Sequence, residues 1–247
     1  MRGEGVLAWK QAYPNGDGAL LLDFGDTLDP NINREVQNTA RFVQQAQIPG
    51  VWGVVPAFTT LLIEFDPLRV GFSEIMHRLQ ALAGVEETEK QSRLFEIPVC
   101  YGGELGPDIE EVARQTGLTI SGVLDAHIET TYRIYCIGFS PGFPLCGILP
   151  ESLRVERRNS PRTAVPAGSV AIAGAQTGIY PVESPGGWNI LGRTPASLFH
   201  LNAIPPIFYG PGDSIRFRAI SPEEFYELKA QAQVGRNIIR EIRHAQD

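Results

Sequence analysis

The sequence feature that most constrains this chain is the stretch 138–195, in which rigid turns alternate with short apolar segments. It holds many of the chain's 26 glycines and 19 prolines, in runs such as GFSPGFPLCGILP, SPRTAVPAGSVAIAG and QTGIYPVESPGGWNILGRTP. Valine, isoleucine and tyrosine recur between the turns, whereas disordered Gly/Pro-rich tracts lack such residues. The stretch therefore predicts short strands joined by tight turns, as in a small barrel or sandwich that can shape a pocket.

Length and charge exclude several classes of function. A chain of 247 residues can form one or two domains. Its formal net charge of −7 argues against nucleic acid and anionic membranes as partners. The sequence shows no apolar run of the ~18 residues that a membrane span needs and no apolar signal region at the N-terminus. We therefore expect a cytoplasmic protein.

The cysteines and histidines do not predict a metal site. The three cysteines lie at wide spacing without a CxxC, and the four histidines form neither HxxxH nor HExxH. We expect the cysteines to be buried packing residues in a reducing compartment.

The first half of the chain predicts the element order β-α-β-β-α-β, which is the ferredoxin-like arrangement. The predicted strands are 19–25, 51–55, 59–65 and 94–101. One helix is expected to open at Asp29-Pro30 and a second at Asp66-Pro67, the second with Leu82 on its apolar face. Residues 1–95 are therefore the predicted N-terminal domain of an α+β protein.

The second half predicts two short helices, a run of short strands and a final helix. Asp108 is expected to cap a helix that ends at Gly117, and 122–129 is expected to form another. The predicted strands are 132–139, 169–174, 178–182, 188–193 and 214–220. Ser221 is expected to cap a C-terminal helix over 222–247. Residues 96–247 form the predicted second domain.

Two turn motifs, at 139–144 and 184–188, place proline before glycine as type II turns require. They are read either as hairpin turns or as bare backbone that lets a ligand approach closely. In the second reading Gly142, Gly186 and Gly187 supply the pocket backbone. Phe143 and Trp188 form its walls.

An arginine cluster is the clearest candidate for ligand binding. Arg154, Arg157, Arg158 and Arg162 stand against Glu156 alone in an otherwise acidic chain. The cluster is either a solvated loop or a carboxylate or phosphate site, since guanidinium binds these anions in a bidentate way. Such a site needs further donors, and the candidates in the same turn-rich half are Gln176, Tyr180 and Arg193.

His127 is the candidate catalytic residue. It is either a structural histidine or a general acid or base, since its pKa ordinarily lies near neutrality. The sequence contains no GxSxG nucleophile elbow and no GxxxxGK[ST] phosphate loop, so ATP would be bound another way or by a partner.

The run 138–195 resembles the signature of the 5-oxoprolinase B-subunit family, also called the allophanate hydrolase subunit 1 or KipI family. The resemblance extends more weakly through IPVCYGGELGPDIEEVARQTGL (97–118) and PGDSIRF (211–217). It implies a cyclophilin-like β-barrel domain behind a small α+β domain. Motif matching carries the family's histidine and its substrate-binding positions onto His127, Arg158, Arg162, Gln176, Tyr180, Trp188 and Arg193. Glu156 stands where the family often has proline, and Leu145 to Ile148 replace its usual Tyr-Leu-Gly-Gly.

The resemblance also implies a function shared with other chains. The family's enzyme hydrolyses 5-oxo-L-proline to L-glutamate with ATP, and its B subunit works with an A subunit and a KipA-like C subunit. The chain is then expected to hold a small carboxylate and to be inactive alone. Two alternatives remain open: a KipI-type inhibitor of a histidine kinase, and a protein related to allophanate hydrolase or urea carboxylase.

Overall fold

The computed structural model describes residues 9–81 and 92–242. These fall into two compact units, one within residues 1–91 and the other within residues 92–247. In the described ranges, no helix is long and apolar enough to cross a membrane.

The first unit is an antiparallel sheet with helices on one face. Its described elements are β1 (Gln11–Pro14), β2 (Ala19–Asp23), α1 (Pro30–Ala46), β3 (Val51–Pro56), β4 (Thr60–Phe65) and α2 (Phe72–Ala81). The strand order is β1-β2-β4-β3. Alternate residues of β4 are buried, because successive side chains of a strand point to opposite faces. The buried face packs Leu61 and Ile63 against Val36 and Val43 of α1 and Leu79 of α2.

The predicted start of α1 is confirmed and that of α2 is wrong. The Asp29 carboxylate accepts hydrogen bonds from the N–H groups of Asn31 and Ile32, which fixes the first turn of α1. Asp66 instead accepts from the N–H of Leu68 in a tight turn, and α2 begins only at Phe72. An Asp-Pro pair is common both in turns and at helix starts, so this pair alone does not distinguish the two structures. Leu82 lies outside the described residues.

The second unit is built on a closed barrel. Its described strands are β5 (Leu94–Tyr101), β6 (Thr131–Ile137), β7 (Pro144–Gly147), β8 (Arg162–Val165), β9 (Ser169–Ala173), β10 (Gln176–Ile179), β11 (Ser184–Gly186), β12 (Asn189–Arg193), β13 (Ser214–Ala219) and β14 (Arg240–Ile242). Its helices are α3 (Ile109–Thr116), α4 (Ile120–Ile128) and α5 (Pro222–Gln233). The barrel order is β12-β9-β10-β7-β6-β13-β5, and β5 pairs back onto β12 to close it. The predicted barrel is therefore confirmed.

Alternation along the strands separates the barrel's interior from its outer face. Val170 and Ile172 of β9 belong to the main core, whereas Ala171 and Ala173 belong to a second, smaller apolar cluster. The three cysteines are buried, as expected. Burial raises the pKa of the Cys136 thiol to about 12.

The predicted β-α-β-β-α-β order is wrong at its last strand. Strand 94–101 does not join the first unit: it pairs with β13, β12 and β14 in the barrel. In its place, the edge of the first sheet is β1, which the sequence did not indicate because its four residues are mostly exposed. Periodicity shows that a segment is a strand but not which strand it pairs with.

The predicted C-terminal helix over 222–247 is too long. Helix α5 ends at Gln233, and Gly235 then adopts a left-handed φ of +81°. Residues 240–242 form β14, which pairs with β5. The helical spacing of the apolar residues Ile239 and Ile242 favours a longer helix in the sequence, but both residues follow the glycine at which the helix ends.

Candidate functional site

A two-stranded ribbon brings the arginine segment beside the Trp188 turn. Strands β8 and β11 pair with Arg162 opposite Gly186. The N–H of Arg158 donates to the carbonyl of Gly187 at 2.8 Å, and the Asn189 side chain donates to the carbonyl of Glu156 at 2.8 Å. Two parts of the chain that are separate in sequence therefore form one surface.

Asp108 holds two of the arginines. Its carboxylate accepts from Nη1 of Arg158 at 2.8 Å and from Nη1 and Nη2 of Arg162 at 2.9 and 2.8 Å. The N–H of Ile190 adds a fourth hydrogen bond at 2.7 Å. Asp108 is 3% exposed, so this carboxylate is buried and fully paired. One carboxylate against two guanidiniums leaves one excess positive charge.

Asp108 does not cap α3 as the sequence predicted. It occupies the N-cap position, but its side chain makes no capping hydrogen bond. The carboxylate is directed to the arginines instead, because two guanidiniums and a buried N–H compete for it.

Three aromatic residues pack beneath the ribbon. The ring of Phe143 meets Tyr180 and Trp188 edge to face, at centroid distances of 5.0 and 5.7 Å. Val165 of β8 and Ile190 of β12 complete this smaller cluster on the outer face of the barrel. We call Arg157, Arg158, Arg162, Tyr180 and Trp188 the arginine–aromatic surface.

The Tyr180 hydroxyl lies where the arginines and the glycine turn meet. Burial raises the pKa of Tyr180, while the Trp188 backbone N–H and the charges of Arg157 and Arg162 oppose that rise. The backbone of Gly186 lies against the phenol, so close that a Cβ at this position would stand 2.3 Å from the hydroxyl oxygen. Glycine is required there for close approach rather than for an unusual φ.

We expect Gly186→Ala to destabilise the second unit by about 1–3 kcal/mol, because the methyl group forces Tyr180 out of its packed position. Urea denaturation measures the loss. Gly187→Ala is the matched control, since its nearest neighbour would be Pro161 at 3.5 Å. Tyr180→Phe added to Gly186→Ala should recover part of the loss. Equal stability of the two alanine variants would contradict the packing described here.

The remaining predicted residues are Gln176, Arg193 and Gly142. Gln176 opens β10, opposite Ala173 and Gly147, at the end away from Tyr180. Arg193 ends β12 opposite Ser169, at the end away from Trp188. The Ser169 carbonyl also accepts the Tyr180 N–H, so Arg193 lies two strands away from Tyr180. Gly142 has a φ of +84°, and its carbonyl accepts the Tyr209 hydroxyl, which anchors the turn before Phe143. The structure thus brings together Arg158, Arg162, Tyr180, Trp188, Phe143, Gly186 and Gly187.

His127 lies inside the barrel unit and is 0% exposed. Its ring stacks on Phe217 at a centroid distance of 4.6 Å. Its Nδ1 is 2.8 Å from the Tyr101 hydroxyl, and its Nε2 is 3.0 Å from Oγ1 of Thr177. Both ring nitrogens are thus satisfied by neighbouring side chains.

These contacts define the tautomer of His127. The Thr177 hydroxyl donates to the Ala171 carbonyl at 3.2 Å, so it accepts from Nε2–H of the histidine. Nδ1 then accepts from the Tyr101 hydroxyl. Burial lowers the pKa of His127 to about 3, which keeps the ring neutral near pH 7. This geometry suits a structural histidine, and its catalytic role stays a prediction that no contact supports.

Sequence reasoning missed two residues of this region, Asp108 and Phe139. The residues around Asp108 predict a helix cap, and nothing near it in sequence indicates its pairing with arginines 50 and 54 residues away. Phe139 lay in a motif read for its glycine and proline. Its ring stands next to Phe143 and Tyr180, at centroid distances of 5.6 and 6.4 Å. Within the described ranges, no three His, Cys, Asp or Glu side chains gather as ligands for a metal ion.

Comparison with known proteins identifies the family of this fold and surface. Residues 10–209 match the family described as carboxyltransferase domain, subdomain C and D, and the chain belongs to it. Within that class it is a member of the 5-oxoprolinase B-subunit family. The B subunit of 5-oxoprolinase from Haemophilus influenzae is 45% identical over 209 residues, which is 83% of this chain and 95% of that protein. The Bacillus subtilis protein of the same name is 38% identical over 231 residues, which covers 88% of this chain and 95% of its own length.

A solved structure shares the fold. The crystal structure of TTHA0988 matches with a TM-score of 0.74 at 37% identity, over 82% of this chain and 40% of that chain. This chain thus spans about two fifths of that longer polypeptide. A putative urea carboxylase of Emericella nidulans is more distant, at 26% identity over 94% of this chain and 22% of its own length.

Proposed function

We propose that the chain is the B subunit of an ATP-dependent 5-oxoprolinase that hydrolyses 5-oxo-L-proline to L-glutamate. The observation that carries this proposal is the 38–45% identity, over 95% of their lengths, to proteins named as the B subunit of 5-oxoprolinase. In the reaction, water adds across the ring amide, the C–N bond breaks, and a second carboxylate and an amine form. ATP hydrolysis is coupled to this step.

The arginine–aromatic surface supports a role in holding the substrate carboxylate. Arg158 and Arg162 share one buried carboxylate, and their side chains remain 32% and 25% exposed. Two charge-assisted hydrogen bonds of ~1.5–3 kcal/mol each reach only about millimolar affinity. An apolar wall is therefore needed. Tyr180 and Trp188 are only 2% and 6% exposed, so they support such a wall from below, whereas Phe139, which packs on Tyr180, is exposed. Gln176 and Arg193 remain proposed substrate residues on the resemblance alone.

We assign to this chain a binding role and to its partners the rest of the chemistry. The A and C subunits are the proposed partners, ATP is bound at the level of the complex, and the chain is expected to be inactive alone in the cytoplasm. The barrel is proposed to be of the cyclophilin type. These points rest on the resemblance to the family.

Reconstitution tests the proposal. We expect glutamate to form from 5-oxo-L-proline only when this chain, both partner subunits and ATP are all present. Leaving out each component in turn provides the controls, and size-exclusion chromatography shows whether the complex has assembled. An assembled complex that forms no glutamate would overturn the proposal.

The urea-related alternative has weaker support, because the similarity to the Emericella protein is low and this chain covers only 22% of it. Allophanate offered to the same complex is the direct comparison, and we expect no turnover of it. Inhibition of a histidine kinase stays a prediction, and autophosphorylation of a kinase with and without this chain tests it.

A further inference from the structure

Phe139 has an unusual backbone for a residue with a bulky side chain. Its φ is +65°, in the left-handed region that disfavours any Cβ. The surrounding turn holds it there: the N–H of Gly138 donates to Phe143, the N–H of Ser140 to Gly138, and the N–H of Phe143 to Ser140. Strained backbone of this kind is concentrated at functional sites, because elsewhere a glycine would relieve it.

The turn presents the Phe139 ring to solvent. The residue is 69% exposed, although its ring edge reaches Phe143 and Tyr180. A single exposed aromatic is ordinary on a protein surface. An exposed aromatic held by a left-handed backbone is not, since neither packing nor backbone preference accounts for it. Tyr180 itself is 2% exposed, so it supports Phe139 from below.

Arg157 lies in a segment held against the Trp188 turn, since the carbonyl of Glu156 before it accepts from the Asn189 side chain, and its positive charge acts on Tyr180. Its neighbour Arg158 is tied through its backbone to Gly187, next to the glycine that contacts the Tyr180 hydroxyl. Arg158 and Arg162 share Asp108. Arg157 is exposed and, in the described part of the chain, has neither a hydrogen bond nor an ion pair. Its guanidinium is therefore available to an anion from solution.

We propose that Phe139 and Arg157 contact the substrate directly, Phe139 as the wall for an apolar ring and Arg157 as the partner of its carboxylate. The ligand class is a small, flat, cyclic amide that carries a carboxylate. This inference rests on the proposed function and deepens it, because it separates ring recognition from charge recognition on one surface.

The test uses steady-state kinetics of the assembled complex. We expect Phe139→Ala and Arg157→Gln each to raise KM for 5-oxo-L-proline by roughly five- to tenfold, with kcat within about threefold. The competitor 2-pyrrolidinone, which has the ring but no carboxylate, separates the two roles. Its inhibition constant should rise in Phe139→Ala and stay unchanged in Arg157→Gln.

Phe139→Gly distinguishes contact with the substrate from a purely structural role of the Phe139 side chain. Glycine relieves the left-handed backbone, so the melting temperature of the isolated chain should hold or rise while KM rises as in Phe139→Ala. Tyr226→Ala is the aromatic control, since Tyr226 is 60% exposed and packs edge to face on the ring of Phe225. Arg236→Gln is the control for an exposed arginine.

The outcomes are distinct. An unchanged KM in both variants overturns the inference. A loss of complex assembly in Phe139→Ala also overturns it, because Phe139 would then contact a partner chain rather than the substrate. If the wild-type complex forms no glutamate, the proposed function fails, and binding of 5-oxo-L-proline to the isolated chain by NMR decides the inference separately. Weaker binding to Phe139→Ala than to wild type would support it, whereas equal binding, or none to wild type, would overturn it.

Discussion

Replacing Asp108 with alanine is expected to lower the free energy of unfolding of the second unit by roughly 3–5 kcal/mol. The carboxylate is buried and accepts four hydrogen bonds, three of them from Arg158 and Arg162. Its removal leaves two partly buried guanidiniums facing each other and the Ile190 N–H without an acceptor. Breaking a buried pair by removing one partner costs more than the pair contributes, because the remaining charge stays desolvated.

Urea denaturation measures the loss, with Trp188 as the reporter. Trp9→Phe and Trp52→Phe together leave Trp188 as the one tryptophan of the three, so the fluorescence follows the second unit. Glu151→Gln is the control in the same unit, because Glu151 is 89% exposed in its pair with Arg154 and that pair should contribute within about 0.5 kcal/mol. Asp108→Ala combined with Arg158→Gln and Arg162→Gln should recover part of the stability. A loss below about 1 kcal/mol in Asp108→Ala would contradict the arrangement described here.

The second unit is expected to lose stability as the pH falls from 7 to 5, and His127 is expected to account for about 2 kcal/mol of that loss. Burial lowers the pKa of His127 in the folded protein to about 3, whereas an unfolded histidine titrates near 6.5. Below pH 6.5 the unfolded chain binds a proton that the folded chain cannot. The stability contributed by the neutral ring is therefore complete above pH 6.5 and is lost progressively down to about pH 3.

Other groups also titrate between pH 5 and pH 7, so the test compares how steeply the unfolding free energy changes with pH in the protein with His127 and in His127→Gln. In the background with Trp188 alone, the difference in unfolding free energy between pH 7 and pH 5 should be about 2 kcal/mol larger for the His127 protein than for His127→Gln. Glutamine does not titrate, and the difference in slope is independent of any loss that the substitution itself causes. Equal slopes would show that the folded ring keeps the ordinary histidine pKa near 6.5, and would restore His127 as a candidate acid or base.

Local signals in the sequence predicted many of the elements correctly. Strands such as β6, β9 and β13 and the caps Asp29 and Ser221 were indicated by residue types close in sequence, and both caps make the expected hydrogen bonds. The errors arose where two local structures share one signal. Asp66-Pro67 forms a turn instead of a helix start. The residues after Gly235, whose apolar spacing resembles that of a helix, lead into strand β14.

The sequence alone determined the family, the turn-rich barrel and the presence of an arginine cluster, because these are written in adjacent residues. Only the tertiary structure decided how they are used. Strand β5 belongs to the barrel, and the sequence could not show this because its partner β13 lies far along the chain. The Asp108 carboxylate binds arginines 50 and 54 residues away instead of capping its helix, since pairing two partly buried guanidiniums outweighs a cap. The same packing enclosed His127 and turned Phe139 outward, so the structure, and not the motif, indicates which residues a ligand can reach.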